Sequence, residues 1–238
     1  KSILKYNFNF IVHGYFPPPK TPFNFNLASQ KKNIRGKSIK LAKNAINVCA
    51  DIDSPIFTFH AGFTVDPSKL GVKFSRNGIV DRKIAIKTFI NSSNEILDYA
   101  KSRGIKLGME LNVVQKFNLD KGENKLLLFA DYDETKMFLK KFNKNQIGLL
   151  LDLGHTSVTS HWLKFDKNKF IKKIKKSVVV VHASNNNGLK DQHKQLTKNC
   201  WQTSKLKDFK NIPITLETMN LNIEQIKKNI QIAKDAIK

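Results

Sequence analysis

Six short apolar runs, each carrying a histidine or a carboxylate at its C-terminal end, set the strongest limit on what this chain can become. They are Phe8–His13, Ile56–His60, Ile105–Val113, Ile147–His155, Val178–His182 and Ile214–Glu217. Between them lie longer stretches with apolar residues at three and four spacing, about 37–51, 82–103, 132–142, 167–176 and 222–236. Alternation of this kind builds βα units around a parallel sheet. Gly104 is placed to end one helix, and Asn220, followed by Glu224, to cap the last. Pro17-Pro18-Pro19 stiffens a long loop, and no repeat or linker interrupts the pattern, so residues 1–238 read as a single domain.

The six strands are two short of the eight that close a parallel barrel. Either two βα units precede residue 1, or the sheet is open and doubly wound. No glycine-rich phosphate loop follows any strand, which counts against the open sheet. The expectation is an α/β chain forming a (β/α) TIM-type barrel whose first two βα units are missing from it.

Composition narrows the partners. A length of 238 residues with 40% hydrophobic content is enough for a large core. The formal charge of +23 would ordinarily point to a polyanion, but the lysines are spread along the chain together with abundant Asn, Ile and Phe. Runs such as Lys172-Lys173-Ile174-Lys175-Lys176 fall where a helix presents its solvated face. Nucleic acid is therefore the lesser expectation as a partner. Cys49 and Cys200 are lone thiols without a CxxC, which suits a reducing cytoplasm. No apolar run approaches the roughly 18 residues that span a bilayer, so no membrane association is expected.

The chemistry gathers at the strand ends. His13, His60, His155 and His182 stand at or just beyond them, His193 follows in the loop after His182, and Glu110, Asp152 and Glu217 end the remaining strands in the same way. In a parallel barrel these ends open on one face, where groups far apart in sequence meet. A lone strand-end histidine is more often structural than a ligand. A whole set at strand ends points to a divalent-metal site, because buried ionisable groups must be paired, hydrogen-bonded or metal-bound. Carboxylate oxygen and imidazole nitrogen without thiolate suit Mn²⁺, Zn²⁺, Co²⁺ or Mg²⁺. Asp152-Leu153-Gly154-His155 sets a carboxylate and an imidazole three residues apart, with glycine allowing a sharp turn, and Asp191-Gln192-His193 adds two donors. His161 fits no such pattern. Tyr15, Phe16, Trp162 and Trp201 are loop aromatics able to stack on a substrate or pack on the rim, and Lys20 and Lys194 lie close to candidate ligands in sequence. Asn112, two residues after Glu110, shares its inward face.

In order, these segments read His13-Gly14-Tyr15-Phe16, Asn26-Leu27-Ala28-Ser29, His60-Ala61-Gly62-Phe63, Glu110-Leu111-Asn112, Asp152-Leu153-Gly154-His155, His182-Ala183-Ser184-Asn185, Asp191-Gln192-His193 and Leu216-Glu217-Thr218. The ordered set resembles the xylose-isomerase-like TIM-barrel superfamily, which holds sugar phosphate isomerases and epimerases and also endonuclease IV. The resemblance implies two activities. In the isomerases and epimerases one divalent metal is bound by two glutamates, an aspartate and a histidine, and Glu110, Asp152, His182 and Glu217 match that quartet. Glu110 and Glu217 would then be ligands and catalytic acid/base groups. His13, His60, His155, Asp191 and His193 would form the substrate-binding rim around a small-molecule sugar.

In endonuclease IV-like enzymes nine ligands hold three zinc ions, and His13, His60, Glu110, Asp152, His155, His182, Asp191, His193 and Glu217 supply a candidate for each. Ser184-Asn185-Asn186-Asn187-Gly188 and the Tyr15 to Lys20 loop are closer to the isomerase-like members, so the resemblance favours the sugar activity over the apurinic-site phosphodiesterase. One departure stands out. Leu196-Thr197-Lys198-Asn199-Cys200-Trp201 replaces the Gly-x-Gly that follows Asp-x-His in both groups.

Overall fold

The computed structural model describes residues 8–143 and 145–238. In chain order its elements are β1 (Val12–His13), α1 (Lys32–Asp51), β2 (Ile56–His60), α2 (Arg82–Lys101), β3 (Lys106–Glu110), α3 (Tyr132–Lys141), β4 (Ile147–Asp152), α4 (Leu153–Trp162), α5 (Lys167–Ile174), β5 (Val178–Ala183), α6 (Trp201–Leu206), β6 (Ile214–Leu216) and α7 (Ile223–Ala236). The six strands form one sheet in sequence order, and every neighbouring pair is parallel. Each strand therefore lies beside its predecessor with a crossover between them, the winding of a (β/α) barrel.

The sheet curls. Rings of His13 on β1 and His182 on β5 stand 4.9 Å apart, with β2, β3 and β4 between those strands. Strands spaced about 4.8 Å apart in a flat sheet would separate the two by roughly 19 Å. Curling brings the strand ends together over one mouth.

Burial explains the apolar runs. All of β4 is buried, as is all of β2 except His60, because helices cover the outer face and side chains fill the inner one. Helix α1 buries Leu41, Ala45, Ile46 and Cys49, and α2 buries Ala85, Phe89, Ile96, Leu97 and Ala100, the spacing of a single helical stripe. Phe89 meets Phe59, Phe129 and Phe138 with ring centroids 5.0 to 6.2 Å apart. Each such fully buried ring contributes about 1.5–3 kcal/mol.

Helix starts are set by side-chain acceptors: Asp81 for α2, Asp131 for α3, Asp166 for α5 and Asn222 for α7. The last differs from the sequence expectation. Asn222 forms a reciprocal capping box with Gln225, while Asn220 occupies a left-handed turn (φ 58°) before it. After α2, which ends at Lys101, Gly104 takes φ 67° and its N–H returns to Lys101 O. No helix among the described residues is long and apolar enough to cross a membrane.

Candidate metal centre

Register puts the donors level with one another. His60 pairs with Glu110 across β2 and β3, Asp152 with His182 across β4 and β5, and His13 with Thr58 across β1 and β2. Glu217 lies one residue past β6, its N–H donating to Ala183 O, so the ladder carries it to the same level. The loop after β5 folds back through paired bonds between Asn185 and Lys194, which returns Asp191 and His193 over the strand ends. His193 holds a left-handed backbone (φ 46°), a conformation costly for a non-glycine residue and fixed here by its ring and its carbonyl. The ring donates Nδ1–H to Glu217 O at 2.9 Å, and its backbone oxygen accepts from Met219 N–H.

Three donor groups result, each with ligand atoms within 4.8 Å of one another: Glu110, Asp152, His182 and Glu217; His13, His60 and Glu110; and His155, Asp191 and His193. Glu110 belongs to two of them. Its oxygens face His13 Nε2 at 3.2 Å, His60 Nδ1 at 3.1 Å and His155 Nδ1 at 3.2 Å. His182 Nδ1 lies 2.9 Å from Glu217 Oε2, and Asp191 Oδ2 faces Nε2 of His193 at 3.0 Å and of His155 at 3.4 Å.

The imidazole tautomers are fixed from behind. His155 and His193 turn Nδ1 to the main-chain oxygens of Leu111 and Glu217, and an oxygen of that kind can only accept. Both Nδ1 atoms therefore carry hydrogen, and both Nε2 atoms face Asp191. His13 Nδ1 sits 2.8 Å from Thr58 Oγ1, whose own hydrogen goes to Val12 O, so His13 likewise presents Nε2 to Glu110. A lone pair aimed at a carboxylate needs a cation between them, either a proton or a metal ion.

Four buried carboxylate oxygens, both of Glu110 together with Asp152 Oδ2 and Asp191 Oδ1, accept no hydrogen bond. Orphaned anionic atoms so crowded are costly unless a divalent ion satisfies them, and the donor set, oxygen and imidazole without sulfur, fits one. Proton affinities follow the same crowding. Burial pushes Asp152 up to about 7, opposed by His155 and reinforced by Glu110, Glu217 and Asp191. The hydrogen bond that His193 donates to Asp191 lifts His193 to about 9, while burial drives His60 down to about 4. Glu110 is held well below the usual range despite its burial by the imidazoles of His60, His13 and His155. Glu217, also opposed by burial, falls to about 2 beside His182. Without metal the cluster balances its charge with protons on imidazoles, which a bound ion would displace.

Sequence reasoning left gaps here. Asp152 and His155 are separated not by a sharp turn but by the first turn of α4, with Asp152 Oδ1 capping it by accepting His155 N–H at 2.7 Å. Gly154 is needed for closeness: a Cβ there would stand 2.8 Å from Ser184 Oγ and 3.0 Å from Asp152 Oδ1. Thr58 was legible in principle, two residues before His60 on the same strand face. Gln115, whose Oε1 accepts Asp191 N–H, and Asn186, whose Nδ2 donates to Gly154 O, left no local signal.

A cavity of about 730 Å³ opens beside the donors. His60, His155, Asp191, His193 and Glu217 contribute to its lining, and so do Tyr15, Phe23, Phe63, Phe74, Phe117 and Met219. Asn112 also lines it, with its amide donating to Gly62 O and Leu128 O. Lys20, Lys194, Phe16, Trp162 and Trp201 do not line this cavity. Trp162 ends α4 and Trp201 begins α6, each indole N–H bonded, to Leu189 O and Asn168 Oδ1. His161 is exposed on the last turn of α4, against Trp162. In the segment that replaces Gly-x-Gly, Leu196 is buried in the core and its N–H is held by Asn229 Oδ1.

Comparison with known proteins gives concordant matches. The profile of the family described as a xylose isomerase-like TIM barrel matches residues 1–238. An uncharacterized protein of Methanocaldococcus jannaschii is 22% identical over 189 residues, covering 79% of this chain, which spans only 55% of that relative's length. Among solved structures, a D-tagatose 3-epimerase-like protein superposes with a TM-score of 0.71 at 19% identity, covering 98% of this chain and 81% of its own. A protein from Thermus thermophilus, solved after soaking with ZnCl₂, superposes with a TM-score of 0.65 at 15% identity over 98% and 82% of the two chains. At these identities the superpositions speak for the fold.

Proposed function

Because the chain belongs to the xylose isomerase-like TIM-barrel family, we propose that it is a divalent-metal-dependent sugar isomerase or epimerase. The observation that carries the reading is the convergence of Glu110, Asp152, His182 and Glu217 within 4.8 Å, with orphaned buried carboxylate oxygens on Glu110 and Asp152. That several solved neighbours are described as sugar epimerases supports it. These four residues would hold the ion, which supplies Lewis-acid polarisation of a carbonyl or of neighbouring hydroxyls.

The chain's own groups do the rest. Glu217 lines the cavity and accepts a hydrogen bond from His182, so of the two glutamates it is the one with direct access to a substrate carbon. Glu110 is fully buried behind the imidazoles of His13, His60 and His155 and serves as the second carboxylate. His60, His155, Asp191 and His193 face the cavity, where they hold sugar hydroxyls in register with the proton transfer.

A second reading has a specific observation in its favour. The groups His13, His60, Glu110 and His155, Asp191, His193 each bring three donors together beside the first, enough for three ions and an endonuclease IV-like phosphodiesterase. Elemental analysis of the purified protein separates the two. One Mn²⁺ or Zn²⁺ per chain, with metal-dependent exchange of a sugar C–H proton into the solvent, supports the sugar reading. Three zinc ions with nicking of abasic DNA would replace it. In either case Glu217→Ala is expected to abolish the rise in melting temperature on metal addition, and an unchanged rise would remove the centre itself.

A further inference from the structure

The cavity beside the donor cluster is unlike the surface around it. The chain carries 42 lysines and arginines, yet among the described residues none lines this cavity. A chain so rich in lysine would contribute several cations to a cavity of this size by chance. The carboxylates and imidazoles that do line it, His60, His155, Asp191, His193 and Glu217, all belong to the donor groups.

A phosphate or carboxylate on a substrate needs a guanidinium, an ammonium or a free helix N-terminus to replace its water. The N-terminus of α4, which carries His155 of the lining, is already filled by the chain's own Asp152 carboxylate. What the cavity offers away from the donors is mostly apolar, with the uncharged polar side chains of Asn24, Ser68, Asn112, Gln115 and Asn118 between the rings. Phe63 and Phe74 meet edge to face at 5.5 Å, Tyr15 lies 5.7 Å from Phe23, and Leu70 and Met219 also line it although 48% and 56% exposed. Large apolar side chains left in water around a concave site mark a ligand that covers them. A monosaccharide engaging the donors would leave much of the 730 Å³ to water against these rings.

We infer that the substrate is an uncharged sugar bearing an apolar substituent, its polyol at the donor cluster and its aryl or alkyl group among Tyr15, Phe23, Phe63, Phe74, Leu70 and Met219. The inference rests on the sugar reading above, and the test separates the two. Calorimetric titration of the Mn²⁺-loaded protein compares three matched probes: D-glucose, D-glucose 6-phosphate and phenyl β-D-glucoside. The phenyl glucoside is expected to bind at least about tenfold more tightly than either of the others, from burial of its ring. Leu70→Lys and Met219→Lys, at half-exposed positions that do not support the core, are each expected to abolish that preference and favour the phosphate, with metal content unchanged. Glucose 6-phosphate or free glucose binding as tightly as the phenyl glucoside would overturn the inference and leave the sugar reading standing. Binding of none of the three would take down the sugar reading, and the inference with it.

Discussion

Thr58 lies behind His13 in the way the Leu111 and Glu217 carbonyls lie behind His155 and His193, each fixing which ring nitrogen faces the carboxylates. Cys49 is fully buried under β2, its sulfur 3.6 Å from Ile56 O, and burial pushes its thiol from 9.0 up to about 11. Between those values the unfolded chain loses the proton while the folded chain keeps it. Unfolding then releases a proton, and stability falls as pH rises, by about 1.4 kcal/mol per unit at most. Below pH 9 both states hold the proton and the term is absent. Cys49→Ala lacks this slope. Urea midpoints measured from pH 9 to 11 should therefore show the gap between parent and variant shrinking with pH, and a constant gap would refute the assignment.

Helix α4 ties the site to the scaffold, because Asp152 is at once its N-cap and a member of the central donor group. The two roles are separable. Asparagine keeps a capping oxygen, whereas alanine does not and costs about 1 kcal/mol. Asparagine also removes a buried carboxylate packed beside other carboxylates, which is unfavourable in the absence of metal. The metal-free Asp152→Asn protein is thus expected to melt no lower than the parent, and Asp152→Ala lower than both. Added Mn²⁺ should raise the melting temperature of the parent alone. An asparagine variant as unstable as the alanine one would show that the charge itself supports the fold.

Legibility at this scale follows burial. The strands could be read because both faces are covered, leaving unbroken runs such as Ile147 to Leu151, and α1 and α2 because one stripe faces the sheet. Helix α4 could not. Residues 153 to 160 are all buried, so no polar face marks a helical period, and Gly154, Thr156, Ser157, Thr159 and Ser160 are weak helix formers. The donors were readable as strand-end residues whose side chains had no other reason to sit there. The apolar cavity wall was not, since Tyr15, Phe63 and Met219 come from separate loops, Phe117 from a single 3-10 turn, and they share no periodicity.

At the scale of the whole molecule the question is what a charge of +23 attracts. The helices and loops carry most of the lysines outward, none of the described ones lines the site cavity, and its wall away from the donors is mostly apolar. An enzyme that cleaves a phosphodiester at this mouth would need cations flanking it to neutralise the neighbouring phosphates. The distribution points instead to diffuse attraction, sufficient for weak polyanion binding anywhere on the outer surface. Duplex DNA should bind weakly at low salt, and if about three phosphates are neutralised the affinity should fall roughly forty-fold between about 50 and about 200 mM KCl. Glu217→Gln, which alters only the mouth, should leave both the affinity and its salt dependence unchanged. DNA binding that survives high salt, or that weakens when Glu217 is replaced, would mean the strand passes over the donor cluster. That result would move the balance from the sugar chemistry to the phosphodiester one.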